Sequence, residues 1–95
     1  MAVGILTIHL FIPGCTSLKE KRAVLSRLLN RIHREFNVAV AEVGRQDKWT
    51  DSEIAIANIC NNGSHAHSEM EHVKDFIFKN FRNLEIIENH TEIIL

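Results

Sequence analysis

Twice along this chain the hydrophobic residues recur first at a period of two and then at a period near 3.6, and that order leaves few folds open. From Val3 to Ile12, Leu6, Ile8, Leu10 and Ile12 fall on one face and Ile5, Thr7, His9 and Phe11 on the other, which is the alternation of a β-strand. Pro13-Gly14 ends it. Ser17 followed by Glu20 is a capping-box signature. Leu18, Leu25, Leu28, Leu29, Ile32 and Phe36 then recur at helical spacing, predicting a helix from Leu18 to Phe36, roughly 28 Å long.

The second half repeats the pattern. "NVAVAEVG" and "SEIAIANIC" are short, apolar and β-branched, and the polar residues Arg45 to Asp51 between them read as a hairpin loop. Asn61-Asn62-Gly63 breaks the chain, Ser64 is the expected cap, and Ala66, Met70, Val73, Ile77 and Phe81 mark a second amphipathic helix. "LEIIENHTEIIL" reads as a last strand with an irregularity near Asn89. The order β-α-β-β-α-β folds most economically as a split βαβ pair with right-handed crossovers. The expected fold is therefore α+β and ferredoxin-like: one domain over residues 1–95, with a four-stranded antiparallel sheet and both helices on one face.

That topology places strand 1 between strands 3 and 4, so the hairpin loop meets "PGCTSLKEKR" at one end of the sheet. Lys21, Gln46, Asp47 and Trp49 form a candidate binding site there. Lys21 falls near the apolar side of helix 1, so it either snorkels past the end of the core or aims its ammonium at the loop. Trp49, expected near Leu18 or Lys21, reads as a plug over the core, and Asp47 as a brace of the turn. Cys15 and Cys60 belong at opposite ends of the sheet, on the order of 25 Å apart, too far for a disulfide.

Charge is distributed unevenly. Residues 1–45 carry seven Lys/Arg against three Asp/Glu, and residues 46–95 four against nine. Lys19, Arg27, Arg31 and Arg34 share the side of helix 1 opposite its leucines, and with Arg45 and Lys48 they are the candidate nucleic-acid contacts. The sheet-face RNA mode is disfavoured, because strand 3 has no aromatic to stack a base. His65, Glu69 and His72 share a side of helix 2 without the spacing of a metal motif, and no metal, cofactor or catalytic residue is assigned. Cys15, with no histidine or second cysteine nearby in sequence, reads as an ordinary thiol, and Phe78 as a lone surface aromatic. No signal peptide or membrane span is legible, so a cytoplasmic protein is expected.

"IPGCTSLKEKRAVLSRLLNRI", "FNVAVAEVG" and "QDKW", in this order and spacing, resemble the YlxP family of small bacterial proteins, a domain of unknown function. The resemblance covers essentially the whole chain. It implies a ferredoxin-like fold and a loose association with translation and ribosome maturation, and it supplies no activity. Where family members often follow the tryptophan with Gln-Arg-Ala, this chain has Thr50-Asp51-Ser52, an anion in place of a cation. The leading expectation is a non-enzymatic accessory protein docking on RNA or a ribonucleoprotein. The alternative is a small enzyme or ligand-sensing domain with its site at Lys21, Gln46, Asp47 and Trp49. Ile5 and Phe11, with apolar residues of strand 3 in either register, leave an apolar strip on the open sheet face, so a homodimer through that face is expected.

Overall fold

The computed structural model describes residues 1–95. Strand β1 (Ala2–Phe11) is followed by α1 (Leu18–Glu35), β2 (Ala39–Gly44), β3 (Asp51–Cys60), α2 (Gly63–Asn80) and β4 (Glu85–Ile94). The sheet order is β2-β3-β1-β4 with every neighbouring pair antiparallel, the ferredoxin-like arrangement. Alternation along β1 sends Leu6, Ile8 and Leu10 into full burial beneath the helices and leaves Ile5, Thr7, His9 and Phe11 on the open face. In β3 the register resolves the same way: Ile54 and Ile56 are buried, and Ala55, Ala57 and Ile59 lie on the open face. From α1, Leu25, Leu28 and Ile32 close the core, and from α2, Met70, Val73 and Ile77. Each such side chain contributes about 1.5–3 kcal/mol by leaving water.

The first cap forms at Ser17, whose hydroxyl accepts from the Glu20 N–H at 3.1 Å. Glu20 reaches back to the N–H and hydroxyl of Thr16, both at 3.0 Å, one residue before the cap. At α2 the cap is Asn62, not Ser64. Asn62 has the extended φ/ψ a cap requires, and its side chain accepts from the His65 N–H at 2.8 Å, so the helix begins one residue before Ser64. The irregularity of β4 lies at Ile87, between Ile86 opposite Leu10 and Glu88 opposite His9, two residues before the expected Asn89.

Asn58 is buried on the helix side of β3 and ties three elements together. Its side chain accepts from Gly4 N–H at 2.9 Å and donates to Glu69 at 2.7 Å. That bond holds Glu69 against the sheet, and no three His, Cys, Asp or Glu side chains converge as metal ligands anywhere in the fold. Ala2 pairs with Cys60, so Cys60 and Cys15 flank opposite ends of β1, and both are free thiols. No helix is long and apolar enough to cross a membrane.

Candidate nucleic-acid interface

Arg27, Arg31 and Arg34 recur at i, i+4 and i+7 on α1 and so stand on one side of it. Together with Asn30, His33 and Phe81 at the end of α2 they line an open groove of about 710 Å³. Arg31 does not project away from the core as its sequence position suggests. Its guanidinium lies over the rings of Phe76 and Phe81, 5.3 and 5.9 Å from their centroids, a cation–π arrangement that fixes the side chain at the junction of the two helices. Phe36 packs edge-on against Phe76 and completes that aromatic bed.

No carboxylate lines the groove, and none of its arginines forms an ion pair. α2 is different, because Lys74 and Lys79 are bonded to Glu71 and Asp75 of their own helix at 2.7 and 3.0 Å. Lys74 accordingly holds the Glu71 carboxyl below its ordinary range. Lys19 is exposed, also without an ion pair, two turns before Arg27. Apart from Lys21, the Lys and Arg side chains of α1 are without ion pairs, whereas both lysines of α2 have one.

The loop does approach the start of α1, and the links are specific. Ile12 N–H donates to Thr50 O at 2.6 Å, and the Lys21 ammonium donates to Arg45 O at 2.6 Å and pairs with Glu42 at 3.0 Å. Ser52 donates to the same Glu42 oxygen at 2.7 Å. Lys21 is only 1% exposed, so it neither snorkels into water nor offers its charge to a ligand; it braces the hairpin from inside. Trp49 is 54% exposed and lies outside the core, so it does not plug it. Gln46, Asp47 and Trp49 stand in the open and line no cavity.

Lys48 shares that exposed loop. Arg45 separates from the other candidate cations, lining a small cleft of about 80 Å³ on the open sheet face with Thr7, His9, Glu53, Glu88, Asn89 and His90. Beside it His9 Nε2 meets Asp51 Oδ2 at 2.7 Å, and with Thr50 donating at 2.8 Å the Asp51 carboxyl is held below its ordinary range, first by His9 and then by Thr50. The carboxylate that departs from the family pattern therefore has a partner within the fold. Two features escaped the sequence reading. Glu42 follows Val38 and Val40 at inward-facing parity on β2, a signal that a buried cation must meet it. Nothing local marked Phe76 and Phe81 as the bed for Arg31.

The protein-family model described as Protein of unknown function (DUF503) matches residues 3–91. This chain belongs to that family. The "Uncharacterized protein YlxP" of Bacillus subtilis (strain 168) is 36% identical over 90 residues, covering 95% of this chain and 97% of that one. Among solved structures, LarC2, the C-terminal domain of a cyclometallase involved in the synthesis of the NPN cofactor of lactate racemase, superposes with TM-score 0.56 at 10% identity. That match covers 99% of this chain and 55% of that one. SnoaB, a cofactor-independent oxygenase from Streptomyces nogalater, gives 0.54 at 11% identity over 99% and 91%. The de novo designed protein Foldit4 gives 0.55 at 16% over 100% and 98%. At such identities these structures share a fold with the DUF503 chain and say nothing of its chemistry.

Proposed function

We propose that this DUF503 protein is a non-enzymatic accessory protein that docks on RNA or a ribonucleoprotein, with α1 meeting the phosphate backbone. The observation that carries the reading is the groove of Arg27, Arg31 and Arg34, which holds three guanidinium groups with neither a carboxylate in its lining nor an ion pair. Guanidinium groups bind phosphate oxygens in a bidentate fork, and Arg31 is already oriented by the two rings beneath it. Lys19 extends the cationic side toward the start of α1, and the exposed Trp49 loop supplies shape at that end. The association with translation implied by the resemblance favours RNA over other polyanions.

Neutralising about three phosphates gives a log–log salt slope near −2.7 on a duplex, so binding should weaken about 40-fold between 50 and 200 mM salt. Fluorescence anisotropy with a short RNA duplex, together with co-sedimentation on ribosomal particles at the same two salt concentrations, measures this. Arg27→Ala and Arg34→Ala should each flatten the slope by about one unit. Binding that ignores both salt and these substitutions would overturn the reading.

A further inference from the structure

The open face of the sheet divides into two halves of opposite character. At the Ala2 end, Ile59, Val3 and Ile94 form one row across β3, β1 and β4, followed by a row of Ala57, Ile5 and Glu92 with Ala39 of β2 alongside. Ile59 is 74% exposed and Ile94 47%. At the Phe11 end the rows are Glu53, His9, Glu88 and then Asp51, Phe11, Glu85. Of the carboxylates in these four rows only Asp51 has side-chain hydrogen-bond partners, His9 and Thr50. A sheet face washed by water alternates apolar with polar residues along its strands. Here the two types are sorted by end.

We propose that the Ala2 end of the open face is a self-association surface, on which a second copy of the chain packs sheet on sheet about a two-fold axis running across the strands at the level of Gly4. Charge selects the occupant and the axis. The patch is uncharged except for Glu92 at its margin, so what covers it must be apolar and nearly uncharged, and the same patch on a second copy satisfies that in an isologous contact. An axis parallel to the strands would lay Glu53 on Glu88 of the other copy, two unpaired carboxylates face to face. An axis across the strands at Thr7 would bury Asp51 and Glu85 against Ile59 and Ile94.

At the level of Gly4 the protruding Ile59 falls over Ala57 of the other copy, next to its Ala39, where two small side chains leave room. Val3 falls over Ile5, and Ile94 over Glu92, which is exposed on the edge strand β4 and keeps its carboxylate at the rim of the contact, while the acidic rows of both copies project beyond the contact into water. The contact is confined to two rows of side chains at one end of the sheet, so the dimer is a weak one. The helices face outward, leaving both arginine grooves open, and the inference does not depend on what those grooves bind.

Sedimentation velocity from about 1 to about 500 μM tests it. Wild-type protein should pass from monomer to dimer in that range, and Ile59→Asp or Ile94→Asp should raise the dissociation constant at least about tenfold by burying a charge without a partner. Phe78→Asp, at an equally exposed residue on α2, should leave it unchanged. Circular dichroism melts check that the variants fold. Glu88→Lys separates the axes, changing the constant less than about twofold in the offset arrangement but tightening it severalfold if Glu53 and Glu88 oppose each other. A wild-type monomer throughout, or a dimer indifferent to Ile59→Asp, would overturn the proposal, and tightening by Glu88→Lys would overturn the axis.

Discussion

Lys21 shows how one residue couples two regions far apart in sequence. Its ammonium holds Arg45 O, and Arg45 is the one non-glycine residue with positive φ, at 59°. The left-handed region costs an ordinary residue about 1–2 kcal/mol, and the charge-assisted bond to Lys21, with a second from Lys48 N–H at 3.1 Å, offsets it. Lys21→Met leaves Glu42 partly buried without its cation and should destabilise the protein by about 3 kcal/mol, whereas Lys21→Met with Glu42→Gln, whose amide oxygen still accepts from the buried Ser52, should recover part of that loss. Urea titrations of the two single variants and the double form the cycle that measures the coupling. Arg45→Gly tests the backbone separately. It should leave the Lys21 bond in place and raise stability by about 1 kcal/mol, visible as a higher urea midpoint at unchanged slope.

At the scale of elements, the caps set where each helix begins, and hence which residues face the sheet. Asn62→Ala should cost about 1 kcal/mol, while Ser64→Ala, inside the first turn of α2, should change stability by less than about 0.5 kcal/mol. Thermal melts of the pair decide between the two caps. α1 was legible almost entirely, because Leu25, Leu28 and Ile32 fix its buried side and a strong cap fixes its start. The start of α2 was less so: Asn62 and Ser64 are both good caps, and only the length of the turn after Cys60 chooses between them.

Across the whole molecule three carboxyl groups sit below their ordinary range: Glu20 through the backbone and hydroxyl of Thr16, Asp51 chiefly through His9, and Glu71 chiefly through Lys74. Each titrates lower in the folded than in the unfolded chain. The unfolded chain therefore binds more protons in the interval, and the stability each group contributes is present above its ordinary value, 4.5 for Glu20 and Glu71 and 3.8 for Asp51, and is lost as pH falls through the lowered one. Melting temperature should drop between about pH 5 and pH 2, and Glu20→Gln with Asp51→Asn should flatten that acid limb relative to wild type. Equal acid sensitivity in the double variant would show that these bonds do not form in solution.

The sequence by itself determined the element order, the antiparallel sheet, the two faces of β1, the apolar side of each helix and membership of a family, because period, caps and turn residues are local properties that each segment carries with it. β3, apolar on both faces, was left in either register until its pairing with β1 buried Ile54 and Ile56. The sequence also placed a cationic side on α1. Only the tertiary structure decided what those charges meet. It buried Lys21 against Glu42, laid Arg31 on Phe76 and Phe81, turned Arg45 to the other side of the sheet and left Trp49 in the open. Each outcome depends on a partner supplied by a different element. Periodicity says which way a side chain points, but the charge or ring it finds there is set by strand order and register, which exist only once the sheet has formed.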